Sequence, residues 1–125
     1  MELTKNEVQF MNVLWSAERP MTANEILEQS IDKTWSNASL HTILKRLLNK
    51  GALAEDGLAK GKKFFLQTYA PTITKEEYYR SGVFNDCSEK EVPVIFSALL
   101  RSIDCDDATM DRLEEIIRNR RAGSL

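Results

Sequence analysis

The sequence predicts a mainly α-helical protein with one small β-hairpin, and three observations indicate this fold class. Several segments begin with a capping box, in which a hydroxyl residue is followed three positions later by a glutamate. Apolar residues recur at helical spacing after those starts. One short glycine- and aromatic-containing stretch interrupts the helical pattern. With 125 residues, of which 42% are hydrophobic and 29% charged, the chain suits one globular domain, or a small domain with an appendage.

Two capping boxes predict the first two helices. Thr4 and Glu7 form the first box, and Thr22 and Glu25 form the second. Apolar residues at helical spacing follow each box, which is typical of helices that bury one face. We expect the first helix to end near Pro20, and the second helix to be short.

The third predicted helix, at about residues 36–50, combines an apolar stripe with a polar face. The stripe consists of Leu40, Ile43, Leu44, Leu47 and Leu48. Ser36 or Asn37 can cap its start, and Gly51 suits the left-handed position that follows a helix end. A short helix, a turn and a longer helix therefore follow one another, as in a helix-turn-helix.

A β-hairpin is predicted directly after this helix. We expect a short strand at Ala52–Ala54, a loop at residues 55–61, and a second strand from Lys62 to Tyr69 that ends before Pro71. Two strands around a tip of glycine and lysine have the shape of a wing, at about residues 57–69. The first part of the chain is thus predicted to be a winged helix-turn-helix.

The rest of the chain returns to a helical pattern. A helix starts at the Thr74 cap, another starts near Pro93, and a last one starts at Asp106 or its neighbour. We therefore divide the chain into a winged helix-turn-helix DNA-binding domain at residues 1–72 and a C-terminal helical dimerisation region at residues 73–125.

Charge is distributed unevenly along the chain. The whole sequence has 17 basic and 19 acidic residues, a net charge of −2, which argues against a non-specific cationic coat for nucleic acid. Residues 41–63 nevertheless contain six basic and two acidic residues, and residues 72–125 contain eight basic and eleven acidic ones. Positive charge is therefore concentrated on the third helix and the hairpin.

Several classes of protein and site are disfavoured. Cys87 and Cys105 have no CxxC spacing, so neither a disulfide framework nor a cysteine-rich metal site is predicted. His41 is the single histidine, and no nucleophile–base pair, phosphate loop or metal-ligand spacing occurs, so we predict no enzyme activity, no metal and no cofactor. Val92–Leu100, the longest apolar run, is too short to span a membrane. The expected location is cytoplasmic.

The pattern favours DNA binding, because the second helix of a helix-turn-helix lies in the major groove and exposes small or polar side chains to the bases. Lysines on a wing are placed for phosphates. The predicted DNA-binding residues are Ser36, Ala38, Ser39, His41, Thr42, Lys45, Arg46, Asn49, Lys60, Lys62 and Lys63. Three alternatives remain: a solvated face on a helical bundle, a winged-helix protein-interaction module without sequence-specific DNA binding, and a redox- or metal-responsive regulator that senses through its cysteines.

These residues resemble the penicillinase-repressor family, which includes methicillin-resistance and copper-responsive repressors. The matching segments are Leu3-Thr4 with Glu7, Leu14-Trp15, Thr22–Ile26, Thr42–Leu44, Arg46-Leu47, Lys50-Gly51, Tyr69–Pro71 and Glu76–Tyr78. The resemblance implies a winged helix-turn-helix, followed by a dimerisation region, in a homodimer that represses transcription from a palindromic double-stranded operator. It also makes a membrane sensor-protease a candidate partner, without membrane insertion of the chain itself.

The chain departs from the family pattern at several positions. Ala38 and His41 stand where basic residues are common, which removes positive charge from the recognition helix. Ile95-Phe96 stands where the β-lactam-type repressors have a cleaved Asn-Phe bond, and the CxC motifs of copper-type relatives do not occur.

The C-terminal region contains more apolar residues than a second small core needs, so we expect them to form a two-fold dimer interface. The predicted dimerisation residues are Tyr79, Val83, Phe84, Ile95, Phe96, Leu99, Leu100, Leu113, Ile116 and Ile117.

Overall fold

The computed structural model describes residues 1–84 and 86–123, which fall into two compact units, Met1–Asn85 and Asp86–Leu125. The first unit contains four α-helices and a three-stranded sheet. Its elements are α1 (Lys5–Ala17), β1 (Met21–Thr22), α2 (Ala23–Gln29), α3 (Leu40–Lys50), β2 (Leu53–Lys60), β3 (Phe65–Pro71) and α4 (Lys75–Tyr78), which continues as a π-helical turn over Tyr79–Val83.

The predicted capping boxes start α1 and α2. The Thr4 hydroxyl accepts a hydrogen bond from Glu7 N at 3.3 Å, and the Glu7 carboxylate accepts one from Thr4 N at 2.8 Å. Thr22 and Glu25 form the same reciprocal pair at 3.2 Å in both directions. Helix α1 ends before Pro20, because Glu18 adopts a left-handed conformation with φ of 54°. Local hydrogen bonding thus explains both helix starts as predicted.

The core of the first unit lies between α1, α2, α3 and the base of the sheet. Phe10 and Met11 of α1 and Leu47 of α3 are completely buried. Trp35, on the connection between α2 and α3, packs its ring 5.9 Å from that of Phe10. The tryptophan is therefore a core residue.

The sheet has the order β1–β3–β2 and is antiparallel throughout. The prediction of a loop at residues 55–61 is wrong, because β2 continues to Lys60 opposite Phe65. Its register shifts between Glu55 and Leu58, where Gly57 adopts a φ of +81° that only glycine accepts readily. Gly57, which suggested a loop, instead accommodates an irregularity within a longer strand.

The segment after the wing packs against the first unit. The Trp15 indole N–H donates to the Ile73 carbonyl at 3.0 Å, and its ring lies 5.9 Å from that of the buried Tyr78. These contacts bring α4 into the first unit. The boundary between the compact units consequently falls after residue 85, later than the predicted boundary between residues 72 and 73.

The second unit consists of a 3₁₀ turn (Glu89–Glu91) and the helices α5 (Val92–Ser102) and α6 (Asp107–Arg121). Pro93 lies in the first turn of α5, and the Asp106 carboxylate caps α6 by accepting from Thr109 N at 2.8 Å. Among residues 86–123, no side chain is buried. Within the described residues, no helix has the length and apolar character needed to cross a membrane.

Candidate nucleic-acid interface

The predicted recognition segment begins with a 3₁₀ turn at Asn37–Ser39 and continues as α3. The hydroxyl groups of Ser36 and Ser39 lie 3.0 Å apart and hydrogen-bond to each other. Ser36 therefore stands before the 3₁₀ turn instead of capping α3 directly. At its other end, Gly51 closes α3 with a φ of +78°, and its N–H reaches the Leu48 carbonyl at 3.1 Å.

Helix α3 has two faces of opposite character. Leu40, Ile43, Leu44 and Leu47 are buried, so this face fixes the helix on the core. The opposite face is exposed along its whole length. It carries His41, Thr42, Lys45, Arg46 and Asn49, and the exposed Ala38 precedes it on the 3₁₀ turn. Within the described part of the chain, Lys45 and Arg46 form no ion pair, so both charges are available to a ligand.

Hydrogen bonds to α1 hold the turn that leads into α3. Thr34 N donates to the Gln9 side-chain oxygen at 3.0 Å, and the Thr34 hydroxyl donates to the Asn6 side-chain oxygen at 2.5 Å. Together with the burial of Trp35 at the next position, these contacts fix the start of the recognition segment. Local sequence patterns do not predict this network, because its hydrogen-bonding partners are 25 and 28 residues apart along the chain.

An ion pair fixes the other end of α3. Lys50 Nζ donates to the Glu7 carboxylate at 2.5 Å and to the Glu2 carbonyl at 3.0 Å. The Glu7 side chain is only 1% exposed. Burial acts to raise the pKa of Glu7, but hydrogen bonds from Lys50 and Thr4 outweigh it, so this pKa lies below its ordinary value. Lys50 therefore belongs to the scaffold and does not add to the exposed basic surface.

The wing displays the other predicted basic residues. Its tip is a tight turn in which Gly61 N donates to the Phe64 carbonyl at 2.8 Å, with Lys62 and Lys63 between them. Both of these lysines and Lys60 are exposed. From residue 57 to residue 71 the sequence contains these three lysines and no carboxylate. The outer part of the wing, residues 57–71, thus has a net positive charge.

The wing also exposes apolar side chains that the sequence analysis missed. Leu58 is 63% exposed, Phe64 74% and Phe65 68%. This exposure is not expected from sequence patterns, because aromatic residues in a strand usually pack on a core. Here the outer half of the hairpin extends beyond the core. The buried residues of its two strands, Leu53 and Thr68, lie farther from the tip.

The predicted dimerisation residues lie at the end of the first unit and on α5 and α6, and those whose side chains are described are at most half-buried. Tyr79 and Phe84 are exposed in the first unit, and the side chain of Val83 lies outside the described residues. In the second unit, Leu99 and Ile117 are 51% and 46% exposed. The half-buried members there are Ile95, Phe96, Leu100, Leu113 and Ile116.

The comparison with known proteins identifies the family. The sequence profile described as "Penicillinase repressor" matches residues 3–119, almost the whole chain. The chain belongs to the penicillinase repressor family. This confirms the resemblance found in the motifs of the sequence.

Two relatives, MecI and a penicillinase repressor, agree with this assignment. The chain is 26% identical to the methicillin resistance regulatory protein MecI of Staphylococcus aureus (strain Mu50 / ATCC 700699), over 92% of this chain and 89% of MecI. It is 32% identical to the penicillinase repressor of Bacillus licheniformis, over 62% of this chain and 56% of that protein. The solved structure of RosR from H. salinarum is similar over 98% and 96% of the two chains, with 21% identity and a TM-score of 0.48.

Family membership decides between the main alternatives. The repressor is a DNA-binding transcriptional regulator of the winged helix-turn-helix class and not an enzyme. This favours DNA binding over the protein-interaction module. Cys87 and Cys105 are free and half-buried, and their role as sensors stays an open alternative.

Proposed function

We propose that the repressor acts as a homodimer on a palindromic operator, with α3 in the major groove and the wing on the neighbouring backbone. The observation that supports this most directly is the division of α3 into a buried apolar face and an exposed face of small, polar and basic residues. A helix fixed in this way can bring its exposed side chains to the base edges without losing its core contacts.

The exposed side chains of α3 have different proposed roles. Arg46 can donate two hydrogen bonds to guanine, and Thr42 can contact a base edge or a thymine methyl group. Lys45 lies on the same face and contacts a guanine or a phosphate, and Asn49 extends the polar surface toward the end of the helix. Ala38 keeps the start of the segment close to the bases because it has no bulk. Ser36, Ser39 and His41 complete the proposed contact surface.

The proposal is tested by selecting the preferred duplex from a random library and measuring affinity by gel shift. We expect two inverted half-sites about one turn of DNA apart. The Arg46→Ala variant should lose about 1–3 kcal/mol on the selected duplex and much less on random DNA. An equal loss on both DNAs would show that Arg46 contacts only the backbone.

The wing lysines are tested by the dependence of affinity on salt. Each neutralised phosphate contributes roughly −0.9 to the slope of log affinity against log salt concentration. The double variant Lys62→Ala, Lys63→Ala should therefore bind all duplexes more weakly and give a flatter slope. Lys75→Ala, at an exposed position of α4, is the matched control and should change neither quantity. An unchanged slope in the double variant would contradict the assignment of the wing.

The proposed dimer rests on the apolar surface of the second unit. An apolar stripe at helical spacing runs along α5, and no described side chain of this unit is buried. A two-fold interface would remove such a surface from water. We expect Leu99→Asp to give monomers in analytical ultracentrifugation and to weaken operator binding. Ser97→Asp adds the same charge elsewhere on α5 and should remain dimeric. A dimeric Leu99→Asp variant would exclude this interface.

The proposed site of action is the cytoplasm, with a membrane sensor-protease as the partner that relieves repression. The pair at the position of the cleaved family bond, Ile95-Phe96, lies within α5. Co-expression with a sensor encoded beside the repressor, followed by immunoblotting, tests this partner. A repressor that stays intact while its target gene is induced would exclude proteolysis.

A further inference from the structure

The tip of the wing combines an exposed aromatic ring with uncompensated positive charge. Phe64 is 74% exposed and follows Lys62 and Lys63 directly in the chain. Gly61 stands opposite Phe64 across the turn and offers no side chain to cover the ring. A Cβ atom at Gly61 would lie 2.6 Å from the Phe64 carbonyl oxygen, so the turn excludes any larger residue there.

This ring contributes nothing visible to the core of the first unit. Leu58 and Phe65 on the adjoining strands are also more than 60% exposed, and the buried residues of the sheet lie farther down the hairpin at Leu53 and Thr68. An aromatic side chain of this size buries a large apolar area when it finds a partner. The exposed ring is therefore available for an intermolecular contact.

The charge around the ring indicates a polyanionic partner. Three lysines and no carboxylate occur between residues 57 and 71, and none of these lysines forms an ion pair within the described residues. A surface of this composition is attracted to phosphates. The tip is also narrow, because only Lys62 and Lys63 separate the two residues that close the turn. A single side chain on such a tip matches the minor groove of DNA, which is about 6 Å wide.

We infer that Phe64 is an apolar wedge that enters the minor groove of the operator and bends it, while the flanking lysines hold the phosphates on both sides. The inference rests on the proposed function and deepens it. Apolar side chains that enter the minor groove partly unstack a base step and bend the duplex by about 20–90°. Pyrimidine–purine steps such as TA unstack most easily, so the wing would favour a TA step at its contact without hydrogen-bonding to a base.

The test compares wild-type repressor with Phe64→Ser on the selected duplex. We expect the variant to bind roughly tenfold more weakly or worse, because a large apolar contact is lost. End-to-end fluorescence transfer in a labelled duplex should show loss of the bend. The salt slope should stay unchanged, since no charge is removed. Phe64→Leu keeps an apolar wedge and should retain most of the bend. Ile31→Ser, at a position 81% exposed outside the wing, is the control and should behave as wild type.

The outcomes separate the wedge from the proposed function. If the wild type binds and bends the duplex and Phe64→Ser does so equally, the wedge is refuted and operator binding stands. If the wild type binds no duplex, both fail. If Phe64→Ser keeps full DNA affinity and bending but loses binding to phosphatidylserine vesicles, the ring contacts a lipid surface and the wedge is again refuted.

A second experiment changes the DNA. Replacement of the contacted TA step by GC should weaken DNA binding by the wild type and leave DNA binding by Phe64→Ser unaffected. Equal sensitivity of both proteins would contradict the inference.

Discussion

Removal of the Lys50 charge should destabilise the first unit strongly, whereas removal of the exposed Lys45 charge on the same helix should cost little. Lys50 neutralises the carboxylate of Glu7, which is 1% exposed, whereas the Lys50 side chain itself is 36% exposed. The loss of one partner from a buried pair costs about 3–5 kcal/mol. Because water can reach the lysine side and Thr4 N still donates to Glu7, we expect Lys50→Met to lose about 2–3 kcal/mol.

The assay is urea and thermal unfolding followed by circular dichroism. A loss of about 2 kcal/mol corresponds to a decrease in Tm of roughly 8–16 °C for a unit of this size. Lys45→Met is the matched control on the same helix: its side chain is exposed, and its effect should stay within about 0.5 kcal/mol. The double variant Glu7→Met, Lys50→Met should recover much of the loss, because no charge then remains buried. Equal stabilities of Lys50→Met and Lys45→Met would refute the reasoning.

The pH dependence of folding stability tests the same interaction between Glu7 and Lys50. The pKa of Glu7 in the folded protein is lower than its ordinary value of 4.5. The folded state therefore binds this proton less readily than the unfolded state, and the stabilisation is present above pH 4.5 and lost as the pH falls through the folded pKa. In Lys50→Met the hydrogen bond and the charge that lower the pKa of Glu7 from Lys50 are lost, so this pKa should be higher than in the wild type and acid neutralises the buried carboxylate more readily. The difference in stability between the two proteins should narrow as the pH falls, and a constant difference would refute this explanation.

Three further substitutions test the scaffold around the interface. Gly51→Ala should cost about 1 kcal/mol in urea unfolding through its φ of +78° alone, since no atom lies within 4 Å of the added Cβ; an unchanged midpoint would contradict this. Thr22→Ala removes the hydroxyl that caps α2 and should cost about 1 kcal/mol, whereas Thr22→Ser should retain most of it. Phe10→Ala should cost about 3–5 kcal/mol because its ring is completely buried against Trp35, and a loss below 1 kcal/mol would contradict the assigned core.

The sequence predicts those features of the repressor that depend on neighbours along the chain. The capping boxes at Thr4 and Thr22 and the apolar stripe of α3 involve residues three or four positions apart, and the structure confirms them. Their hydrogen bonds and side-chain spacing are properties of a single helix, so no tertiary information is needed to find them.

Features that depend on distant residues could not be predicted in this way. Glu7 and Lys50 are 43 residues apart, and only the folded chain shows that the capping glutamate also neutralises the last lysine of α3. The strand β1 exists only because Met21 pairs with Tyr69. The exposure of Phe64 depends on how far the hairpin extends past the core. The alternation of apolar and polar residues along a strand does not predict this distance.

The lack of buried side chains among residues 86–123 has a consequence for gene dosage. Helices that bury little within one chain gain most of their apolar burial by association, so in the proposed dimer the folded state of this unit depends on how many copies the cell contains. Occupancy of the operator would then rise more steeply than the number of chains. At low copy number it would approach proportionality to the square of that number. A fall in synthesis would then relieve repression more than proportionally, and a gradual titration of the protein in cells should show this steeper response.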